Sequence, residues 1–153
     1  IIEHGFNIDL SKISFFDCFS GSGAIGLEAI SRGCSTVTFL EKNSAACGCI
    51  TENLAKFKLH ENNQVNSFRT LNYDFFDKKL LLNDKFDVVF LDPPYELIKA
   101  GKVLIRLKEL RVTKINSLII YESNRELKKI EGLEMLRSRK IGKTYLNFFE
   151  GFN

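Results

Sequence analysis

The sequence predicts an α/β fold in which a doubly wound, mostly parallel sheet ends in an antiparallel hairpin. Three observations support this prediction. Short apolar or β-branched runs alternate with amphipathic stretches from residue 13 to residue 121, and such alternation with short links gives parallel strands joined by helical crossovers. An acidic residue lies at or just after the end of four of these runs. From residue 135 onward the alternation stops, and two strand-like runs flank a single glycine.

The first half of the chain predicts two strands that each lead into a helix. Thr36 to Leu40 is β-branched and aromatic, as strands prefer. Gly33 fits the position after a helix end, and Asn43 is a favourable N-cap. The predicted elements are the strand 13–16, the helix 24–32, the strand 36–40 and the helix 43–58. The second helix carries one apolar stripe at helical spacing, formed by Cys47, Ile50, Leu54 and Phe57.

The second half predicts three more parallel strands and the closing hairpin. The run from Phe86 to Leu91 is apolar almost throughout, as expected of a strand covered on both faces. The predicted elements are the strands 65–71, 86–91 and 117–121, a short helix from Phe75 and a helix over 97–110. Residues 135–140 and 144–149 flank Ile141-Gly142-Lys143 as the two strands of a hairpin. The sheet is therefore predicted to have seven strands.

Composition narrows the class of protein. The 153 residues fit one domain, 1–153, and 44% hydrophobic with 27% charged residues is ordinary for a soluble globular protein. A net charge of +3 permits a nucleic-acid partner without requiring one. No apolar run approaches the roughly 18 residues of a membrane helix. The first residues lack a basic leader and an initiating Met, so we expect no signal peptide and a chain that begins at a cut edge.

The four cysteines do not predict a metal site. Cys47 and Cys49 are two residues apart, which fits zinc-ligand spacing poorly, and no histidine lies near them in the sequence. Disulfides are equally unexpected at these spacings. Buried, reduced thiols in a cytoplasmic protein are the better prediction.

A glycine-rich segment follows the first strand. Gly21-Ser22-Gly23-Ala24-Ile25-Gly26 matches the pattern G-x-G-x-x-G and opens a helix, where glycines allow positive φ and close approach of a ligand. Glu41 lies twenty residues after Gly21 at the tip of the next strand, where a carboxylate can accept both hydroxyls of a ribose. The pair predicts an adenosine-containing ligand. The alternative is a structural turn with a surface glutamate.

Four carboxylates at one rim indicate which adenosine ligand this is. Ligands of doubly wound sheets bind beyond the carboxyl ends of the strands, and the acidic residues expected there are Asp17, Glu41, Asp74 and Asp92. A dinucleotide pyrophosphate would be repelled, whereas the sulfonium and ammonium groups of S-adenosylmethionine would be attracted. Phe19 and Phe75 could add aromatic faces to such a pocket. A nicotinamide-dependent oxidoreductase is the competing hypothesis, and it leaves Asp17 and the segment 92–95 without a role.

The segment Leu91-Asp92-Pro93-Pro94-Tyr95 ends the fourth predicted strand. Two consecutive prolines fix φ and offer no N–H donors, so Asp92 and the neighbouring carbonyls are held as acceptors beside an aromatic ring. Acceptors with a stacking surface suit a planar group that donates hydrogen bonds, such as the exocyclic amine of a nucleobase. The alternative is a Pro-Pro turn after a buried strand.

Residues 17–33 resemble the first motif of the bacterial small-subunit ribosomal RNA guanine-N2 methyltransferases (the RsmD type), D-x-F-A-G-S-G-x-L-G-x-E-A-x-S-R-G. Phe39 to Asn43 resembles their second motif, Phe86 to Tyr95 their F-D-x-V-F-x-D-P-P-Y/F segment, and the hairpin their closing strands. Ser20 and Cys18 depart from the usual alanine and aliphatic residue. The resemblance runs from about residue 13 to 149 and implies a class I S-adenosylmethionine-dependent methyltransferase with a Rossmann-like fold.

The resemblance also implies a role for each matching residue. Glu41 would hold the ribose, and Asp74 with Phe75 would contact the adenine. The Asp92 side chain and the Pro93 carbonyl would accept hydrogen bonds from the target amine, while Tyr95 stacks on the base. The residues implied to bind the cofactor are Asp17, Phe19, Gly21, Ser22, Gly23, Glu41, Lys42, Asp74 and Phe75. Those implied to be catalytic are Asp92, Pro93, Pro94 and Tyr95, with no metal.

The implied partner is small-subunit ribosomal RNA, free or in an assembling subunit, bound by a cytoplasmic monomer with no membrane partner. Family members also carry an N-terminal extension with an R-P-T segment and an R-E-x-L-F-N helix, and Ile1-Ile2 is expected to be the end of that helix. Two alternatives stay open: an amino-methyltransferase acting on DNA adenine or protein glutamine, and a non-catalytic RNA-binding module.

Basic residues on two segments are candidates for phosphate contacts, with a solvated surface as the alternative. They are Arg137, Arg139, Lys140 and Lys143 on the hairpin, and Lys99, Lys102, Arg106 and Lys108 on the helix after the Pro-Pro segment.

Overall fold

The described residues form one seven-stranded sheet with helices packed on both faces. The computed structural model describes residues 5–58, 67–94, 99–128, 130 and 132–152. Its strands are β1 (Ser14–Cys18), β2 (Thr36–Glu41), β3 (Ser67–Asn72), β4 (Phe86–Leu91), β5 (Thr113–Ser123), β6 (Met135–Ile141) and β7 (Thr144–Glu150). Its helices are α1 (Ala24–Ser31), α2 (Ser44–Lys58) and α3 (Ala100–Leu110), with a short 3-10 helix at Leu10–Lys12.

The strand order across the sheet is β3–β2–β1–β4–β5–β7–β6. β1 to β5 are parallel to one another, whereas β7 runs antiparallel to both β5 and β6. The order reverses beside β1, which opens a crevice at the carboxyl ends of β1 and β4 where ligands of such sheets bind. The predicted doubly wound α/β fold with its closing antiparallel hairpin is confirmed.

Alternation along the central strands divides the core between the two faces of the sheet. Phe15 and Val88 point to the face covered by α1 and α2, where Ile50 and Leu54 pack. Their neighbours Phe16 and Val89 point to the face covered by α3, where the buried residues of that helix are Val103, Leu104, Leu107 and Leu110. Because successive strand side chains alternate between faces, each central strand serves both layers.

Several predicted bounds differ from the structure. β1 extends to Cys18, so that Asp17 lies inside the strand rather than beyond its end. The predicted helix from Phe75 is wrong: residues 74–80 form two successive turns, closed by hydrogen bonds from Asp77 N to Asp74 O and from Leu80 N to Asp77 O. The side chains of Asp74 and Asp77 accept the backbone N–H groups of Phe76 and Lys79, a local alternative that competes with helix formation.

The predicted fifth strand, 117–121, is too short. β5 starts at Thr113 and carries extra residues opposite β4, since Phe86 pairs with Thr113 but Val88 pairs with Leu118. Asn116 takes a positive φ of 61° within this irregular stretch. The first residues predicted for β3 (65–66) and for α3 (97–98) lie outside the described residues.

Three of the four cysteines are buried, as predicted, whereas Cys49 is exposed; all four are free thiols. Both histidines, His4 and His60, lie outside the described residues. None of the helices in the described ranges has the length and apolar character needed to span a membrane.

Candidate functional site

A cavity of about 370 Å³ opens at the carboxyl edge of the sheet. Three predicted acidic residues line it: Glu41 at the end of β2, Asp74 after β3 and Asp92 after β4. Four aromatic side chains form its walls, contributed by Phe19, Tyr73, Phe75 and Phe76. The volume is within the range of small-molecule sites, and the lining combines apolar walls with a few converging acceptors.

Glu41 fixes the turn that carries the glycines. One carboxylate oxygen accepts the backbone N–H of Gly21 at 2.8 Å, and the other accepts that of Asn43 at 2.8 Å. Gly21 has φ of +52° and open space where a Cβ would lie, so the backbone is accessible at this point. A carboxylate can accept about four hydrogen bonds. Glu41 therefore keeps acceptor capacity for hydroxyl groups of a ligand.

The other two glycines of the pattern permit close packing. A Cβ on Gly26 would lie 2.3 Å from Cε1 of Phe39, and one on Gly23 would lie 2.8 Å from Cγ1 of Ile50. Gly23 is the N-cap of α1 and is buried. These two positions bring α1 against β2 and α2, which sets the height of the turn above the sheet.

Ser20, the departure from the usual alanine, ties the turn to the neighbouring strand. Its hydroxyl donates to Asp17 O at 2.7 Å and accepts the N–H of Leu40 at 3.1 Å. Its backbone N–H donates to Leu40 O at 3.1 Å. The substitution therefore adds hydrogen bonds between the ends of β1 and β2.

Asp17 lies beneath the glycine turn and does not line the cavity. Its side chain is 2% exposed and accepts the N–H of Gly26 at 2.9 Å. Burial raises its pKa to about 7, the Gly26 hydrogen bond opposes this, and the charges of Asp92 and Glu41 raise it further. The expectation that Asp17 lies on the open rim is therefore wrong. β1 continues to Cys18, so Asp17 lies inside the strand and is buried.

The turns after β3 form the opposite wall. Phe75 is 2% exposed, and its ring centroid lies 4.8 Å from that of Phe19. Phe19 has φ of +60°, an uncommon conformation for an aromatic residue, which directs its ring across the crevice. Asp74 is exposed and lies 3.8 Å from Nζ of Lys42. Flat aromatic faces beside an acceptor suit an adenine ring.

Arg106 of α3 holds these turns from behind. Its Nε donates to Phe75 O at 3.2 Å and its Nη2 to Asp77 O at 2.8 Å. Its Nη1 lies 3.3 Å from Oε2 of Glu109 on the same helix. A guanidinium presents donors in a fixed planar fork, so one side chain fixes two carbonyls of the turn that bears Asp74 and Phe75.

The Asp-Pro-Pro segment closes the third side of the cavity. Asp92, the buried Pro93 and the exposed Pro94 line it directly after β4. Tyr121, which pairs with Leu91 across β4 and β5, is 3% exposed. Burial raises the pKa of Tyr121 to about 12, and the charge of Asp92 contributes. Asp92 therefore acts electrostatically on groups of both neighbouring strands.

The structure thus brings most predicted site residues together. The predicted residues that line the cavity are Phe19, Glu41, Lys42, Asp74, Phe75, Asp92, Pro93 and Pro94. Gly21 lies at the edge of the cavity, where its N–H donates to the cavity residue Glu41. Ser22 is exposed, whereas Gly23 and Asp17 are buried beneath the glycine turn. Tyr95 falls outside the described residues.

Sequence reasoning missed three residues of this region, Tyr73, Phe76 and Tyr121, and it assigned Arg106 to phosphate contacts rather than to the turns behind the cavity. The aromatic residues flanking Asp74 and Phe75 were a usable signal. The contact of Arg106 joins residues about thirty positions apart, and no local pattern reports it.

The carboxylates and aromatic rings that line the cavity fit a cationic adenosine ligand. The carboxylates are those of Glu41, Asp74 and Asp92. Although burial is the main cause of the raised pKa of Asp17, the charges of Asp92 and Glu41 raise it further, as expected in a field of negative potential. Such a field attracts a sulfonium or ammonium and repels a pyrophosphate. The residues present therefore fit S-adenosylmethionine better than a dinucleotide.

Comparison with known families gives a match over nearly the whole chain. The model of the family described as Conserved hypothetical protein 95 matches residues 3–150. The chain belongs to this family. The resemblance to RsmD-type methyltransferases, carried by residues 17–33, 39–43 and 86–95 and by the hairpin, is confirmed.

Curated relatives are named ribosomal RNA small subunit methyltransferase D. The Haemophilus influenzae protein is 34% identical over 128 residues, which cover 82% of this chain and 65% of that protein. The protein of Buchnera aphidicola subsp. Baizongia pistaciae is 31% identical over 124 residues, covering 81% and 60%. The chain therefore spans less than two thirds of the length of these two relatives.

Solved structures agree with the fold. A Haemophilus influenzae structure, described provisionally as a methylase, has a TM-score of 0.78 at 29% identity and covers 94% of this chain and 89% of that chain. The ribosomal protein L11 methylase of Lactobacillus delbrueckii subsp. bulgaricus has a TM-score of 0.71 at 17% identity, covering 99% and 75%. At that identity the likeness concerns the fold alone, which is that of class I methyltransferases.

Proposed function

We propose that the chain transfers a methyl group from S-adenosylmethionine to the exocyclic N2 amine of a guanine in small-subunit ribosomal RNA. The observation that carries this proposal is one cavity in which the ribose-type acceptor Glu41 and the amine-type acceptors of Asp92 and Pro93 face the same space. The names of the relatives support the RNA substrate. We further propose that the protein acts in the cytoplasm as a monomer.

One half of the cavity would hold the cofactor. Glu41 would accept the ribose hydroxyls with the lone pairs left by Gly21 and Asn43. Asp74 and the ring of Phe75 would contact the adenine, while Phe19, Gly21 and the turn above Asp17 would border the methionine end. S-adenosylmethionine supplies an electrophilic methyl group on a sulfonium, which a weak nucleophile can displace.

The other half would hold the target amine. The lone pair of guanine N2 is delocalised into the ring, so the amine is a poor nucleophile. The Asp92 carboxylate and the Pro93 carbonyl would accept hydrogen bonds from the two N–H groups of the amine. These contacts would turn the nitrogen lone pair toward the methyl group and stabilise the positive charge that grows on nitrogen. The departing proton would then pass to Asp92 or to water. Orientation of this kind can contribute up to roughly 7–11 kcal/mol.

The base must leave its stack to enter the cavity. Tyr95, directly after Pro94 in the sequence, would replace the lost stacking with its ring. This role stays a prediction from the sequence.

Calorimetric titration with S-adenosylhomocysteine, with NADH as the control ligand, tests the cofactor half. We expect micromolar binding of the first and none of the second, because the cavity carboxylates repel the pyrophosphate. Tight NADH binding without competition from S-adenosylhomocysteine would instead support an oxidoreductase.

Asp92→Asn tests the amine half. The amide keeps the size of the side chain but loses the charge, so we expect transfer to unmodified small-subunit ribosomal RNA to fall by about 10² to 10³. Binding of S-adenosylhomocysteine should remain, as measured by the same titration. Unchanged transfer rates in this variant would refute the assignment of Asp92.

A further inference from the structure

The β6–β7 hairpin turns at the same edge of the sheet as the candidate site. β7 begins beside the carboxyl end of β5, since Tyr145 pairs with Ser123. Thr144 pairs with Ile141 at the turn itself. β5 in turn lies beside β4, which leads directly into Asp92. The hairpin tip, defined as residues 139–145, therefore projects from the edge that holds the cavity.

Strand spacing gives the lateral separation, across the sheet, between the strands of the hairpin and β4, which leads into Asp92. The order β4–β5–β7–β6 puts β7 two strands and β6 three strands away from β4. At 4.7–4.9 Å per strand, these separations are about 10 Å and about 14 Å. Nucleotides flanking an extruded base lie within this range, and enzymes that act on extruded bases commonly contact them.

Three cationic side chains cluster on the tip. Arg139, Lys140 and Lys143 are all exposed, and within the described part of the chain none of them forms an ion pair with a carboxylate. Nζ of Lys140 lies 5.6 Å from the ring centroid of Tyr145, a contact that restricts the lysine without neutralising it. The tip thus offers positive charge on a short, hydrogen-bonded hairpin.

Three of the other basic residues named from the sequence are engaged elsewhere. The Arg137 guanidinium packs 4.2 Å from the ring centroid of Phe6 and 5.0 Å from that of Phe148. Arg106 is bound to carbonyls of the turns after β3. Nζ of Lys108 lies 5.7 Å from the ring centroid of Phe152. These three cations contact aromatic rings or backbone carbonyls of the protein, whereas Arg139 and Lys143 at the hairpin tip make no such side-chain contact within the described residues.

We propose that the hairpin tip binds the phosphate backbone of the nucleotides that flank the target base. The proposal rests on the proposed function, because it takes RNA as the substrate of the adjacent cavity. Phosphate contacts set the register and orientation of a nucleic acid without reading its sequence. The tip would therefore set the position of the RNA backbone. The target base would then enter the cavity, where the Asp-Pro-Pro segment contacts its amine.

The test compares two triple variants with the unaltered chain. The first replaces Arg139, Lys140 and Lys143 by Gln. The matched control replaces Lys85, Lys108 and Arg111 by Gln; these are exposed cations that precede β4 and β5 or end α3, at the opposite edge of the sheet. Each variant replaces one arginine and two lysines, so each lowers the formal net charge of the chain from +3 to zero. Only the location of the lost charge differs.

Affinity for unmodified small-subunit ribosomal RNA, transcribed in vitro, is measured between about 50 and 200 mM salt. The tip variant should bind roughly tenfold more weakly, and its plot of log K against log salt should be shallower by about 2, as expected for the loss of three phosphate contacts. The control should retain both values. Titration with S-adenosylhomocysteine should give the same affinity for all three proteins.

Equal losses in the tip variant and the control would overturn the proposal, because net charge alone would then explain binding. Unchanged binding by the tip variant, or no RNA binding by the unaltered chain, would also overturn it. A tip variant that loses affinity for S-adenosylhomocysteine counts against it as well. Failure of the proposed function is distinguishable, since it appears in the cofactor titration of the unaltered chain.

Discussion

Burial leaves Asp17 with a proton that most aspartates have lost at neutral pH. Its pKa is raised from 3.8 to about 7, first by burial and then by the charges of Asp92 and Glu41, against the hydrogen bond from Gly26. The folded chain therefore holds this proton between about pH 4 and pH 7, where the unfolded chain releases it. Its contribution to stability is complete below about pH 4 and is lost as the pH rises toward 7.

The variant Asp17→Asn should remove this pH dependence. An amide oxygen can still accept the N–H of Gly26 but has no proton to lose in this range. We expect the free energy of unfolding of the unaltered chain to fall, relative to the variant, by on the order of 2–3 kcal/mol between about pH 5 and pH 8. Urea unfolding at the two pH values measures it. Parallel pH curves for the two proteins would show that Asp17 ionises normally.

Residue types at strand ends were predictable, but their depth was not. The sequence indicated which carboxylates meet at one edge because parallel strands end together. Asp17 lies 2% exposed, whereas Asp74 is exposed, although both follow apolar runs. The difference comes from α1, whose Gly26 packs against Phe39 and covers Asp17. Tertiary packing of this kind leaves no local mark in the sequence.

Among the elements, α3 has a role beyond covering the sheet. It follows the Asp-Pro-Pro segment in the chain and reaches the turns after β3 through Arg106. The helix therefore connects the wall predicted to hold the adenine with the segment predicted to hold the amine. We infer that Arg106 is a positioning residue for the cofactor half of the cavity.

Replacing Arg106 by Met should weaken binding of S-adenosylhomocysteine about tenfold, because the turn bearing Asp74 and Phe75 loses two hydrogen bonds from a charged donor. Arg106→Lys should restore part of the affinity. Glu109→Gln is the matched control, since it removes the ion pair on the helix but keeps both carbonyl contacts. Calorimetry gives the affinities and thermal unfolding the stability. Equal affinity losses for Glu109→Gln and Arg106→Met would contradict the inference.

Element types were predictable wherever the hydrophobic period was clear. The apolar β4 occupies the predicted range, and the two hairpin strands that flank Gly142 each extend one residue beyond theirs. The helix from Phe75 was wrong because Asp74 and Asp77 bind backbone N–H groups locally and stop the chain from continuing as a helix. The start of β5 was missed because Ile115 is 77% exposed and Asn116 has a positive φ, so that stretch lacks strand periodicity.

At the scale of the whole molecule, the described residues pack into two hydrophobic layers, one on each face of the sheet. Leu104 belongs to the layer under α3, and Ile50 to the layer under α1 and α2; both are almost fully buried. Neighbouring residues of the central strands point into opposite layers, so neither layer can be lost while the strands stay ordered. We expect the two layers to unfold together.

Leu104→Ala and Ile50→Ala should each lower the free energy of unfolding by about 2–5 kcal/mol while leaving a single transition. Circular dichroism and the summed fluorescence of the four tyrosines, which include the buried Tyr121, should report the same midpoint, and the chain has no tryptophan to mask the tyrosine signal. Leu81→Ala is the control, because Leu81 is 85% exposed. Midpoints that differ between the two probes would reveal layers that unfold independently.

The sheet ends in two edge strands, β3 and β6. On β6, Leu136 and Ile141 are 43% and 40% exposed, and the cations Arg139 and Lys140 lie between them. Charged side chains on an edge strand prevent edge-to-edge aggregation of free molecules. The side chains that we propose hold the RNA therefore also keep copies of the protein apart, so solubility and substrate recognition cannot be changed independently at this edge.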